Sequence, residues 1–303
     1  MATRRATQKI RIRLKAYDHK ILDQAAANIV VNGYAGVYDG QAHGATGAAT
    51  GVGGEDLSAL LNFGSAFTDV PGGTAHWAFA GNNNYAPASG TASIVITKAT
   101  ASFSNLSSPA IAFGTSATTL SGTLSLGSLV PTGSVSITLN GVTQNAAIQA
   151  GGNFSSTFAT ASLPPTNPPY TIAYSYGGDT NFNPASGAGT LTVGYGVVAL
   201  YDQAKAANSG STIPVKVEIT NADGTNVSSA DTVLTAVGVG LASTNTYGPV
   251  ADAGNANPDN IFRFTGDSYI FNLKTTGLAA GVYNLYFRVG SDPTLHTVQF
   301  QVR

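Results

Sequence analysis

Carboxylate and amide side chains are most closely grouped in the segment DAGNANPDN, residues 252–260. The oxygen-bearing side chains that we single out there are those of Asp252, Asn255, Asn257 and Asp259. Calcium prefers such oxygen ligands, but the spacing differs from that of an EF-hand and the bidentate glutamate is missing. Asn, Asp, Gly and Pro also form ordinary turns. The segment therefore predicts either a calcium site or a turn-rich loop, and no other cofactor is expected.

The remaining residues that could support catalysis are dispersed along the chain. The four histidines are His19, His43, His76 and His296, and no two have the spacing of metal ligands. A zinc site or a general base needs convergent partners. Glutamate occurs only at Glu55 and Glu218, no acidic pair suggests a glycosidase, and no G-x-S-x-G motif is present. The sequence therefore predicts a protein that is not an enzyme.

Basic residues are concentrated at the N-terminus. Residues 1–30 hold seven Lys or Arg and two Asp, a net charge of +5, whereas the remainder of the chain carries −6. From Ile10 to Lys15, apolar and basic side chains alternate, which predicts a strand with one basic face. Asp18 can cap a helix whose apolar stripe runs from Ile21 to Ile29. We therefore predict a short strand-helix segment before the other domains.

The stretch KIRIRLKAYDHKILDQAAANIV, residues 9–30, resembles the opening strand and helix of small-subunit ribosomal protein ten. The family's later strands have no counterpart after Val30. The resemblance implies contacts with ribosomal RNA through residues that match its basic positions, namely Lys9, Arg11, Arg13, Lys15 and His19. A fused remnant without function is the alternative interpretation.

A repeated segment organises the rest of the chain. Residues 77–90 read WAFAGNNNYAPASG and residues 174–187 read YSYGGDTNFNPASG, an offset of 97 residues. Each copy leads into a strand of alternating polarity, SIVIT or TLTV. A repeat of this length indicates one small domain duplicated in tandem.

Three domains are predicted beyond the basic segment, at residues 31–99, 100–195 and 196–303. The first resembles bacterial MBG-type Ig-like modules through its turn at Tyr38-Asp39-Gly40 and its closing IVITKA. The second, with a hairpin turn at Asn140-Gly141, resembles bacterial Ig-like repeats of surface proteins. The third, through its pieces SGSTIPVKVEI, NANPDNIFRF and GVYNLYFRVGSDPTLHTVQFQV, resembles the terminal module of large bacterial Ig-repeat proteins. The predicted fold class is all-β: tandem Ig-like β-sandwich domains preceded by the strand-helix segment.

These resemblances imply a non-catalytic bacterial cell-surface or secreted protein that acts as a structural stalk or in adhesion. Its partner would be a protein or a carbohydrate at the cell surface. A ribosome-associated RNA-binding protein and a carbohydrate- or calcium-binding module are the alternatives. No apolar run approaches the roughly 18 residues of a membrane span. The N-terminus lacks the apolar core of a signal peptide, so the ribosomal-like segment predicts the cytoplasm while the Ig-like domains predict export.

Overall fold

The computed structural model describes residues 26–244, 246–251 and 256–303. Within these ranges the regular structure is β-strand with a few short 3₁₀ turns, and no α-helix occurs. The described residues form two compact units. One comprises the residues up to Thr100 together with residues 180–183, and the other comprises residues 101–179 and 184–303.

The first unit contains six strands, which pair into a two-stranded and a four-stranded sheet, β1-β3 and β2-β6-β5-β4. They are β1 (Asn28–Asn32), β2 (Tyr34–Val37), β3 (Thr46–Thr50), β4 (Leu61–Asn62), β5 (Gly72–Phe79) and β6 (Ala88–Thr97). In β6 the side chains of Ala92, Ile94 and Ile96 are buried while Ser93 and Val95 are exposed. This period of two places one face of the strand in the core.

Strand β1 corrects part of the prediction for the N-terminal segment. The sequence predicts Ile29 on the apolar stripe of a helix, but the structure places it in β1, opposite Ala49 of β3. The β-branched run from Ile29 to Val31 favours a strand, and a neighbouring strand is available to pair with it. Strand β1 also spans the predicted domain boundary at residue 30. The rest of the predicted strand-helix segment, residues 1–25, lies outside the described residues.

The second unit begins with eight strands in two sheets, β11-β10-β13-β14-β8 and β12-β9-β7. They are β7 (Ser102–Ser104), β8 (Ala110–Ala112), β9 (Ala117–Ser125), β10 (Ser134–Leu139), β11 (Val142–Ala147), β12 (Asn153–Ala159), β13 (Tyr170–Tyr176) and β14 (Ala185–Gly194). The predicted hairpin is confirmed, because β10 and β11 pair directly. Asn140 and Gly141 between them have φ values of 46° and 79°. A two-residue turn with both φ values positive fits the twist of a hairpin.

The second unit continues with eight further strands in two four-stranded sheets, β15-β17-β20-β19 and β16-β22-β21-β18. They are β15 (Gly196–Ala199), β16 (Ala206–Ala207), β17 (Thr212–Thr220), β18 (Leu234–Leu241), β19 (Arg263–Phe264), β20 (Tyr269–Lys274), β21 (Gly281–Val289) and β22 (His296–Val302). In β22 the side chains of Val298, Phe300 and Val302 are buried and alternate with more exposed residues, as expected for a strand with one face in the core. They pack in one core with Phe287 from the same sheet and with Phe271 from the facing sheet.

All three groups of strands follow one plan. In each group, the first strand pairs antiparallel with the third strand, which gives the pairs β1–β3, β7–β9 and β15–β17. The second strand of each group then pairs parallel with the last strand of the group. The parallel pairs that result are β2–β6, β8–β14 and β16–β22. Two packed sheets with this strand order are the architecture of the immunoglobulin fold. The chain is therefore all-β and built of tandem Ig-like sandwiches.

The two copies of the repeated segment adopt the same local structure. Gly81 and Gly178 have positive φ values of 70° and 85°. Phe79 and Tyr176, which align in the repeat, are 1% and 2% exposed. Each copy then enters the last strand of its sandwich at the Ala of the shared Pro-Ala-Ser-Gly. The two glycines allow the turn, and the buried aromatics fix its position over the core.

Candidate functional site

A buried carboxylate that accepts three hydrogen bonds belongs to Asp292, in the loop between β21 and β22. Its side chain is completely buried. Oδ1 accepts a hydrogen bond from the Thr294 amide at 2.8 Å, and Oδ2 accepts one from the Tyr195 amide at 2.7 Å. The imidazole Nε2 of His296 donates to Oδ2 at 2.8 Å. Because Tyr195 lies between β14 and β15, this carboxylate holds the connection between two sandwiches.

The hydrogen bonds determine the charge state of Asp292. Burial of the carboxyl raises its pKa, but the bonds from His296, Tyr195 and Thr294 outweigh burial and hold the pKa below its ordinary value. Hydrogen bonds to the ionised form stabilise it. Asp292 is therefore an anion at neutral pH. Burial and the nearby charge of Asp292 both raise the pKa of the Tyr195 hydroxyl.

A second set of contacts holds the same connection from the side of β8. The amide of Phe113 donates to the Gly194 carbonyl at 2.8 Å, and the Phe113 carbonyl accepts from the Ala222 amide at 2.7 Å. The rings of Phe113 and Tyr195 meet edge to face with centroids 5.6 Å apart. We call the five residues Phe113, Gly194, Tyr195, Ala222 and Asp292 the joint.

Close packing at Gly194 leaves little room for movement in the joint. A Cβ atom at this position would lie 3.0 Å from Oγ1 of Thr294 and 3.1 Å from Oδ2 of Asp292. The ring of His296 stacks on Phe287 of β21, with centroids 5.9 Å apart. Packing at interior density resists displacement of either partner. The joint is therefore built to fix one sandwich against the next.

The Asp292–His296 pair has the composition of a general base with its orienting carboxylate, but its setting suits a structural role. The carboxylate is buried, and His296 is 9% exposed. Both oxygens of Asp292 are occupied by donors from the protein. A general base must reach the proton that it abstracts. The geometry at this site therefore favours stabilisation over acid–base chemistry.

The sequence contains a signal for this pair that differs from the spacing of metal ligands. Both His296 and His43 follow an aspartate at the fourth position before them. In the first unit, His43 bonds to Asp39 at 2.9 Å and stacks on Tyr34 with ring centroids 3.8 Å apart. The Gln41 amide and then His43 lower the pKa of Asp39. The spacing Asp-x-x-x-His thus predicts a loop closed by its own carboxylate.

A third bonded carboxylate closes the glycine-rich loop at residues 51–54. The hydroxyl of Tyr85 donates to the Glu55 carboxylate and accepts from the Val52 amide. This contact lowers the pKa of Glu55 and raises the pKa of Tyr85. Tyr85 belongs to the core, so its hydroxyl anchors the loop to the body of the sandwich.

The residues predicted to bind calcium are described only in part. Asp252 and Asn255 lie outside the described residues, so the prediction remains untested for the set. The amide of Asn257 is engaged with the backbone of Asn272, donating at 2.7 Å and accepting at 2.9 Å. Asp259 is exposed in a 3₁₀ turn. Over the ranges that the structure covers, no three His, Asp or Glu side chains converge as metal ligands would.

The residues predicted to contact RNA, Lys9, Arg11, Arg13, Lys15 and His19, all lie outside the described residues. Within the described ranges we find no helix with the length and apolar character of a membrane span.

Comparison with known proteins gives no family, because no protein-family model matches the chain. Among solved structures, extracellular domains 3–5 of Drosophila OTK align with 96% of this chain and 99% of that chain, at 12% identity and a TM-score of 0.35. The immunoglobulin domains 1–5 of Sidekick-1 align with 92% of this chain and 58% of that chain, at 13% identity and a TM-score of 0.29. Domains 4–9 of the surface layer protein SbsC align with 86% of this chain and 42% of that chain, at 15% identity and a TM-score of 0.25. These identities and TM-scores are too low to indicate a function, and the Ig-like fold is identified from the strand order instead.

Proposed function

We propose that the protein is a non-catalytic spacer of a bacterial cell surface or a secreted equivalent, in which Ig-like sandwiches hold a binding surface at a distance. The observation that supports this proposal is the joint. A buried, ionised carboxylate and a backbone bridge through Phe113 connect two successive sandwiches within one compact unit. A flexible linker would leave the two sandwiches free to reorient, whereas a bonded joint transmits position and force.

Fixed joints suit a spacer for a physical reason. Each sandwich buries its own core between two sheets, so it resists local opening without help from a ligand. Domain motions within a chain are the default unless the interface restricts them. The hydrogen bonds of Asp292 and Phe113 supply that restriction here.

Labelling of intact cells tests the proposed location. Lys205 and Lys274 are exposed on the third sandwich. Cells that express the full gene would be treated with a membrane-impermeant amine reagent, and the modified lysines would be identified by peptide mass spectrometry. We expect modification of both lysines on intact cells, or in the medium if the protein is secreted. Modification only after lysis would contradict a surface or secreted role and favour the ribosome-associated alternative.

A further inference from the structure

The second sandwich has an unusual surface, because residues 101–195 contain a single charged residue, Asp179. Its carboxylate accepts hydrogen bonds from the amide and the hydroxyl of Thr132, at 2.8 and 2.9 Å. This charge therefore has a structural task within the sandwich. The solvent-facing surface of this sandwich relies on hydroxyl and amide groups for its contact with water.

The sheet β12-β9-β7 presents such groups in ordered rows. Its inner face carries the buried side chains of Leu120, Leu124, Phe154 and Phe158. Alternation along the strands then places the polar residues on the outer face. They are Ser102, Ser104, Thr119, Ser121, Thr123, Ser125, Asn153, Ser155 and Thr157. Cross-strand pairing sets Asn153 and Ser104 on either side of Thr123.

A cleft of about 610 Å³ lies at this sheet. Its polar lining comes from six uncharged residues, Asn105, Ser121, Thr123, Gln149, Asn153 and Ser155. Asn105 follows β7 and Gln149 precedes β12, so amide side chains flank the hydroxyls of the central strand β9. We call this feature the amide cleft. No charged side chain belongs to its lining.

Backbone hydrogen bonds fix the loop that carries Gln149, one of the two flanking amides. The amide of Gln149 donates to the Asn153 carbonyl at 2.8 Å, and the Gly152 amide donates to the Gln149 carbonyl at 2.9 Å. A Cβ atom at Gly152 would lie 2.4 Å from the Leu124 carbonyl oxygen, so this close approach requires glycine. Asn105 has a left-handed backbone with φ of 52°. The backbone that carries Gln149 is therefore fixed before any ligand arrives, which reduces the entropy lost on binding.

The polar groups of the cleft retain unused hydrogen-bonding capacity. The hydroxyl of Thr123 donates to Oδ1 of Asn153 at 2.9 Å, which leaves the two amide hydrogens of Asn153 as donors. Within the described residues, the side chains of Asn105 and Ser155 make no hydrogen bond to another protein group. Amide and hydroxyl groups both donate and accept, as the hydroxyls of a sugar do. A charged ligand would lose its hydration here without meeting an opposite charge.

We propose that the amide cleft binds a neutral oligosaccharide, with Asn105, Gln149 and Asn153 as its principal hydrogen-bonding side chains. This proposal does not depend on the spacer function, because the cleft lies entirely within one sandwich. It identifies a binding site for uncharged, hydroxyl-rich chains, whereas anionic polysaccharides are excluded.

The test uses the ¹⁵N-labelled full chain and three neutral probes, maltohexaose, cellohexaose and mannohexaose, with hexagalacturonate as the anionic comparison. Side-chain amide resonances in two-dimensional NMR report binding at the proposed residues directly. We expect at least one neutral probe to shift the amide signals of Asn105, Gln149 and Asn153 at millimolar concentration. Hexagalacturonate is expected to leave them unchanged.

Three variants then locate the site. Asn153→Ala and Gln149→Ala each remove hydrogen bonds to the sugar, and Asn105→Gly does so while keeping the left-handed backbone. Loss of the bonds from one amide is expected to weaken binding about tenfold. Asn145→Ala is the matched control, because Asn145 lies on the outer face of the other sheet and pairs with Ser136. The proposal is overturned if no neutral probe binds, if hexagalacturonate binds equally well, or if the three variants and the control bind alike.

Discussion

Replacing Asp292 with asparagine tests the joint with little change of shape. The carboxylate receives three donors, two on Oδ2 and one on Oδ1. An amide has one oxygen, so its NH₂ group must face either the Thr294 amide or the Tyr195 amide together with His296. At least one hydrogen bond to a charged acceptor is lost, and a buried donor is left without a partner. Each effect amounts to about 1–3 kcal/mol, so we expect Asp292→Asn to destabilise the third sandwich by about 2–4 kcal/mol.

Urea unfolding and amide hydrogen exchange of the full chain measure this loss. With a slope of about 1–3 kcal/mol per molar urea, the midpoint of the affected transition should fall by about 1–2 M. The amide of Tyr195 should exchange faster in the variant, because its acceptor is weakened. Asp223→Asn is the control, since the Asp223 carboxylate is exposed and bonds to Thr225 within its own turn. An unchanged midpoint together with unchanged exchange at Tyr195 would refute the role assigned to Asp292.

Three further outcomes follow from the bonded groups. Because the pKa of Asp292 is lowered from its ordinary 3.8, the stability that its ionised form contributes is complete above that value and is lost as pH falls through the folded-state pKa. Urea unfolding from pH 6 to pH 2 should therefore show a smaller loss of stability in acid for Asp292→Asn than for wild type. Gly194→Ala would place a Cβ atom 3.0 Å from a hydroxyl oxygen and should destabilise the protein by about 1–3 kcal/mol in thermal unfolding. Gly177→Ala is the control and should have little effect, because its Cβ would have no heavy atom within 4 Å. Equal melting temperatures of the two variants would argue against tight packing at Gly194. Tyr85→Phe removes the donor to Glu55, so the pKa of that carboxyl should rise toward its usual value in an NMR titration, and an unchanged pKa would show that the hydroxyl is not its main stabiliser.

Local sequence patterns predicted the strands well where each depends on its own residues. The alternation of Val298, Phe300 and Val302 identifies β22, and Asn140-Gly141 identifies the hairpin of β10 and β11. Both signals follow from side-chain period and from backbone conformation, which short segments already encode.

Other features depend on partners that are distant in sequence. Tyr195 and Asp292 are 97 residues apart, so no local pattern predicts that one amide meets the other carboxylate. Ile29 fits the stripe of a helix in sequence, and the neighbouring strand β3 decides its structure instead. The amide cleft likewise forms from three separate strands and two loops. No local sequence pattern distinguishes these segments from other polar surface.

Residual dipolar couplings of the full chain test most directly whether the joint fixes the second sandwich to the third. Backbone N–H couplings from strands β7 to β14 and from strands β15 to β22 would each be fitted to an alignment tensor. The joint predicts one common tensor for both sets at neutral pH. Two tensors of different magnitude or orientation would show that the sandwiches move independently, and would contradict the proposal of a bonded spacer.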